Sequence, residues 1–352
     1  MPDSNLQSSQ PSSICVVRLS AIGDTCHALC VIRRLQDNWP DAKLTWIIGK
    51  TEASLMADVP GVEFIIFDKS AGRDAYRHVR DQLRGTSFDA ALCMHASMRA
   101  NRLYRSINAP LRLGFDFRRA RDFQWLFTNQ RIAAVKSEHA LEAMMGFATA
   151  IGAEPKPMRW DIPFGEDERQ FAADFRSPGM PLVVISPCSS QRARNFRNWS
   201  IDNYRAVISH LRARGSRVII SGGPSELEKD YGAALASDGA ADNLVGQTTL
   251  KQLVALFDAA DLVICPDSGP AHMATAMNTP VLGLYATSNP ARTGPYVSRE
   301  LTVNRYPEAV AKYIGKPLEK LRWGQRVRHP DAMDLISIED VTAKIDAFFD
   351  AR

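Results

Sequence analysis

Short, continuously apolar runs alternate with amphipathic stretches along this chain, and the alternation occurs twice. Strands apolar on both faces, with helices between them, belong in parallel sheets covered on both sides. In the first half the spacing predicts strands at 14–18, 44–48, 64–67, 90–94 and 111–114, with helices at about 25–38, 73–84, 97–107 and 137–151. In the second half it predicts strands at 182–186, 218–221, 262–265 and 281–285, with helices at about 201–213, 225–236, 250–259 and 270–277. Residues 154–181, rich in Pro, Gly and charge, read as an interdomain linker with one short strand and one short helix. The expected architecture is α/β: two Rossmann-like domains, 14–170 and 180–330, with parallel sheets facing a central cleft. A C-terminal helical segment, 331–352, is expected to pack back on the first domain.

Composition narrows the function classes. A chain of 352 residues, 45% apolar and 23% charged, can give each of two domains its own core. The net charge of +4 is shared evenly between the halves, so no nucleic-acid partner is expected. Six cysteines are too sparse for a disulfide framework and lack zinc-ligand spacing; buried thiols in a reducing compartment, and no metal, are expected. The polar opening MPDSNLQSSQPSS is unlike a secretory signal. The longest uncharged stretch, 268–291, contains three prolines and two glycines, so no membrane span is expected and the location reads as cytoplasmic.

Candidate chemistry sits where strands end. The first strand runs into RLSAIGDTCH (18–27), which puts Gly23 and Asp24 at the carboxyl edge of a sheet, where open α/β sheets bind ligands. Asp24 reads either as a helix N-cap, stabilising by roughly 1 kcal/mol, or as a general base on a rigid element. Gly23 stands alone, so the glycine fingerprint of nicotinamide-dependent enzymes is missing. The run CPDSGPAHMA (265–274) follows an apolar strand and opens a helix of small residues. Ser268, Gly269 and the following amides point to an anion site at a helix start, with His272 one turn in. The bland alternative is a capped helix with a satisfied histidine. In SPCSSQRARNFRNWS (186–200), Ser189, Ser190 and the arginines at 192, 194 and 197 suit phosphate oxygens. SGGPSE (221–226) offers close backbone approach and a carboxylate, Glu226, for ribose hydroxyls or for the helix start.

A fifth feature is basic. Between Arg99 and Arg121 stand seven arginines, no lysine and one acid, Asp116. Arg99, Arg102 and Arg105 recur at helical spacing, and Arg118, Arg119 and Arg121 follow. The density favours an anionic partner over a plain solvated face. Interleaved aromatics at 115, 117, 123, 125 and 127 read as an apolar anchor, a sugar platform or core.

Four blocks together resemble the family 9 glycosyltransferases, the lipopolysaccharide heptosyltransferases: RLSAIGDTCH, SPCSSQ with FRNWS, GQTTL (246–250), and PDSGPAHMA with GLYATSNP (283–290). The resemblance implies the GT-B fold, with acceptor on the N-terminal domain and nucleotide-sugar on the C-terminal one. It implies inverting, metal-independent transfer of heptose from ADP-L-glycero-D-manno-heptose to the Kdo inner core of lipopolysaccharide, with no cofactor. By resemblance Asp24 is the base. Ser189, Ser190, Arg197, Glu226, Thr248, Asp267, Ser268, Gly269 and His272 bind donor, and the arginine patch binds an anionic Kdo–lipid A acceptor. The donor-phosphate arginine aligns with Arg197, or by a slip with Arg194 or Arg192. Peripheral contact with the inner face of the inner membrane follows. Segment 114–131 looks most like a first-heptose enzyme. Second- or third-heptose transfer, another GT-B nucleotide-sugar transferase, and a non-catalytic nucleotide- or lipopolysaccharide-binding protein stand as alternatives.

Overall fold

The computed structural model describes residues 10–189 and 195–352. The chain divides into two compact units, with the break between Pro163 and Phe164.

The first unit runs β1 (Ser13–Val17), α1 (Ile22–Asn38), β2 (Lys43–Gly49), α2 (Lys50–Met56), β3 (Val62–Phe67), α3 (Arg73–Gln82), β4 (Ala90–Leu92), α4 (Met98–Tyr104), β5 (Leu111–Gly114), β6 (Gln130–Arg131) and α5 (Ala140–Ala150). The sheet is parallel, in the order β3-β2-β1-β4-β5-β6. Its central strand explains the apolar run: Cys15 pairs with Thr45 on one side and Ala91 on the other, and Ile14 to Val17 are fully buried. The edge strand β3 alternates instead, and Ile66 is exposed.

The second unit runs α6 (Glu166–Ala173), β7 (Leu182–Ile185), α7 (Ile201–Ala213), β8 (Arg217–Ile220), α8 (Glu226–Leu235), β9 (Asp242–Asn243), α9 (Leu250–Ala259), β10 (Leu262–Pro266), α10 (Gly269–Ala276), β11 (Val281–Tyr285), α11 (Pro290–Thr293), β12 (Val303–Asn304), α12 (Tyr306–Tyr313) and α13 (Ile338–Asp350). Its sheet is also parallel, in the order β12-β11-β10-β7-β8-β9. Both units are therefore doubly wound. Each first strand lies beside its fourth, and the crossovers diverge there, at β1/β4 and at β7/β10.

Two expectations about organisation change. Much of the supposed linker is packed structure: Arg33 donates to the Trp160 carbonyl at 2.8 Å and the Asp161 carbonyl at 2.6 Å, and Arg159 pairs with Asp37 on α1. Helix α6 then packs on α9, so it belongs with the second unit. The C-terminal helix, expected to return to the first domain, completes the core of the second. Val341 and Ile345 are buried against the α7 side, His210 Nε2 meets Asp346 at 2.7 Å, and Trp199 Nε1 donates to the Ile336 carbonyl at 3.1 Å. Fully burying a Val or Ile side chain contributes about 1.5–3 kcal/mol, which favours that docking.

Among the described residues, no helix is long and apolar enough to cross a membrane. All six cysteines are free and buried. Burial pushes the Cys188 and Cys265 thiols up to about 12, so neither is a ready nucleophile.

Candidate active site

In the first unit the switch point is organised by Arg18, the residue after β1. Its Nη1 donates to the Met94 carbonyl beyond β4 at 2.6 Å, and its Nη2 pairs with the Asp24 carboxylate. Asp24 is not the N-cap of α1; Ala21 is. Asp24 sits at the third helical position, where Oδ2 accepts the Ala21 backbone N–H at 3.4 Å. That closes the first helical turn, yet the side chain keeps 40% of its surface exposed. Arg18 is only 12% exposed, so the guanidinium behaves as a buried support for a solvent-accessible carboxylate.

Across the switch point, His95 Nδ1 accepts the Leu19 backbone N–H at 3.3 Å, which places the ring proton on Nε2. Its backbone carbonyl accepts the Tyr104 hydroxyl from α4 at 2.6 Å. Burial, with Arg18 and Arg99 nearby, holds the imidazole down at about 4, against the opposing pull of Asp24. His95 is therefore neutral at physiological pH.

The arginine patch divides. Arg99, Arg102 and Arg105 on and just beyond α4 are exposed, as are Arg118 and Arg121 in the loop after β5. Arg119 is different: it is clasped by Asp116 and Glu138 and donates to the Ala133 carbonyl at 2.6 Å. Its guanidinium ties the loop together, which corrects the expectation that it joins the anion-binding face.

In the second unit the described candidates lie at the carboxyl ends of β7, β8, β9 and β10. Ser189 is buried, and its hydroxyl donates to Asn198 Oδ1 at 3.0 Å while accepting from Asn195 Nδ2 at 2.7 Å. Its proton is directed into its own loop. Ser190, Arg192 and Arg194 lie outside the described residues. Arg197 Nη1 donates to the Asp267 carbonyl at 2.7 Å and lies 3.5 Å from its carboxylate. Arg326 reaches the same carboxylate oxygen at 3.5 Å. Asp267 is 6% exposed, and a carboxylate that buried requires such partners. It holds two guanidinium groups at the edge of β10.

Ser268 is the N-cap of α10, but its hydroxyl turns back to the Pro266 carbonyl at 3.1 Å and makes no cap bond. The opening amides of the helix are thus left without a side-chain cap. At Gly269 an added Cβ would meet no atom within 4 Å, so the backbone there is open to close approach. His272 lies half-buried one turn along the same helix.

The two neighbouring loops pack on each other. Gly246 has φ +72° and donates its N–H to the Gly222 carbonyl at 2.9 Å; a Cβ there would come within 3.3 Å of Pro224 Cα. This lays the loop bearing Thr248 against the one after β8. Glu226 does not face that junction: its side chain is 86% exposed and pairs with Lys229 at 2.9 Å. Glu228 does, accepting the Gly223 N–H at 2.8 Å and the Ser225 hydroxyl.

Arg18, His95, Glu228 and Arg326 were not singled out from sequence. Arg18 lies inside the run RLSAIGDTCH, and Glu228 sits two residues beyond Glu226, on the inward side of the turn. His95 and Arg326 carried no local signal, because their partners are distant along the chain. Among the described residues, no group of three or more His, Cys, Asp or Glu side chains is arranged to hold a metal ion.

Residues 76–322 match the family described as Glycosyltransferase family 9 (heptosyltransferase). The chain is 37% identical over 337 residues to the lipopolysaccharide core heptosyltransferase OpsX of Haemophilus influenzae, covering 95% of this chain and 96% of that protein. Among solved structures, a family 9 glycosyl transferase from Veillonella parvula superposes with a TM-score of 0.77 at 20% identity, covering 97% of this chain and 98% of the other. The E. coli heptosyltransferase WaaC with ADP superposes with a TM-score of 0.75 at 18% identity, covering 96% and 99%. These likenesses show the fold expected above, two doubly wound α/β units of the GT-B kind.

Proposed function

Because the chain belongs to glycosyltransferase family 9, we propose that it is a lipopolysaccharide heptosyltransferase of the first-heptose type. It moves L-glycero-D-manno-heptose from the ADP-heptose donor to a Kdo–lipid A acceptor, with inversion and without a metal ion. The observation that carries this reading is the pairing of a solvent-accessible carboxylate, Asp24, with a buried arginine at the β1/β4 switch point.

The second unit holds the donor. Arg197, Arg326 and the uncapped start of α10 supply fixed positive charge and N–H groups for the diphosphate. The loop bearing Thr248 and the turn after β8, held by Glu228, flank the nucleoside. The acceptor hydroxyl gives its proton to an Asp24 oxygen as its own oxygen bonds to the anomeric carbon. The bond from that carbon to the diphosphate oxygen breaks on the opposite face, and ADP leaves with the electron pair. A positioned base contributes about 10²–10⁴-fold. The arginines and helix amides stabilise the charge that develops on the leaving group.

The exposed arginines Arg99, Arg102, Arg105, Arg118 and Arg121 bind the carboxylates and phosphates of the acceptor. The enzyme works at the cytoplasmic face of the inner membrane, where that lipid-linked acceptor is presented. The test is incubation with ADP-heptose and defined Kdo–lipid A acceptors, with and without a Kdo phosphate, in excess chelator. Product heavier by one heptose supports the reading. Failure with every truncated acceptor, or loss of turnover on chelation, contradicts the acceptor or the metal-free step respectively.

A further inference from the structure

Every exposed phenylalanine and tryptophan among the described residues falls in one short segment of the first unit. Phe117, Phe123, Trp125 and Leu126 are 66%, 61%, 42% and 64% exposed, and Val135 is 48% exposed. Elsewhere the exposed large apolar side chains are isolated aliphatics: Ile66, Met180, Val297 and Leu318. Isolated apolar side chains need no explanation, whereas a cluster of large rings does.

Polar side chains hold the segment from beneath its exposed rings. Gln124, between two exposed rings, is fully buried; its Nε2 donates to the Cys93 carbonyl at 2.8 Å and its Oε1 accepts the Phe115 N–H at 3.2 Å. Asp122 accepts the Met98 N–H at 2.8 Å, and its carbonyl accepts Asn101 Nδ2 at 2.7 Å. Asp116 and Glu138 clasp Arg119 from within. Gln124, Asp122 and Arg119 anchor the segment to the unit, and the backbone they hold presents the rings to water.

Around the rings positive charge predominates, with Asp122 the exposed carboxylate beside Phe123. Arg99, Arg102, Arg118, Arg121 and Arg131 are exposed, and none has a carboxylate at ion-pair distance among the described residues. Arg131 lies over the Phe117 ring at 4.0 Å, and Arg105 over Phe127 at 4.9 Å. Aromatic rings rimmed by unpaired guanidinium groups match the headgroup layer of an anionic bilayer, where rings sit at the interface and cations meet lipid phosphates.

We propose that the loop carrying Phe117, Phe123, Trp125 and Leu126 is a membrane-docking element, which inserts its rings into the headgroup region of an anionic bilayer. It deepens the functional reading above, which needs a lipid-borne acceptor, by naming the residues that seat the enzyme on its surface.

The test is flotation of the full-length protein with phosphatidylethanolamine/phosphatidylglycerol vesicles and with phosphatidylcholine vesicles. The wild type floats with the anionic vesicles. Phe123→Ser/Trp125→Ser and, independently, Phe117→Ser/Leu126→Ser lower that partition about 10-fold or more, with unchanged melting temperature, since these side chains lie outside the core. Both variants keep wild-type transfer to a soluble, deacylated acceptor. Equal flotation of variant and wild type, or equal flotation on both vesicle types, overturns the proposal. So does loss of transfer to the soluble acceptor, which would put the rings in the sugar site. Flotation needs no turnover, so it can succeed even if the heptosyl-transfer reading fails.

Discussion

The Arg18 guanidinium joins the Asp24 carboxylate to the end of the neighbouring strand, because its other terminal nitrogen is held by the Met94 carbonyl at 2.6 Å. Asp24 is thereby fixed from both sides, by its own helix turn and by a side chain rooted in the sheet. Arg18 is a positioning residue. Arg18→Met frees the carboxylate to leave its orientation, and kcat is expected to fall about 10- to 100-fold, part of the roughly 10²–10⁴-fold a general base supplies. ADP affinity, which the proposal assigns to the other unit, is expected to stay the same. Steady-state kinetics with calorimetric ADP titration checks this.

His95 links pH to stability. The folded protein holds it neutral down to about 4, while an unfolded histidine takes up a proton near 6.5. Its folded value is depressed, so the unfolded chain binds more protons between those limits. The stability is therefore present above about 6.5 and is lost as pH falls toward 4, by roughly 1 kcal/mol per pH unit. His95→Asn keeps an acceptor for the Leu19 N–H and removes the titration. Its melting temperature should fall less steeply between pH 6.5 and 4 than the wild type's.

Arg197 makes the direct bridge to the β10 edge. Removing a charged hydrogen-bond donor costs about 1.5–3 kcal/mol, so Arg197→Met should weaken ADP binding about 10- to 100-fold. Arg326 continues to neutralise Asp267, which keeps the fold intact. ADP titration against the variant measures it, and unchanged affinity would move the phosphate site away from Arg197.

Gly269 separates stability from binding. Its backbone does not need positive φ and a Cβ meets no protein atom, so Gly269→Ala should leave the melting temperature within a degree or two, roughly as helix propensity allows. A methyl group at that place still blocks close approach of a phosphate, and the donor KM should rise about 10-fold or more. A lower melting temperature with unchanged KM would reverse that assignment.

The residues explain what could be read in advance. Strands β1, β7, β10 and β11 are buried on both faces, and a run of apolar residues announces them. Strands β6, β9 and β12 have two residues each and lie toward or at the sheet edges, where no period can form. The place of Asp24 at the carboxyl edge of the sheet is legible because it lies in the first turn of the helix that follows β1. Its partnership with Arg18 and its proximity to His95 depend on β4 lying beside β1, a contact more than 70 residues apart in sequence. The choice between Glu226 and Glu228 is a matter of helix phase, and only the folded turn resolves it. In sequence Arg119 resembles its neighbours; its two carboxylate partners, one of them 19 residues away, set it apart in the fold.

The central claim is that Asp24 takes the proton from the attacking hydroxyl. Asp24→Asn preserves shape and the acceptor for the Ala21 N–H but removes the basic carboxylate. Measured with ADP-heptose and a Kdo–lipid A acceptor, its kcat should fall about 10²- to 10⁴-fold while its ADP affinity matches the wild type. Transfer at the wild-type rate by Asp24→Asn would contradict the account.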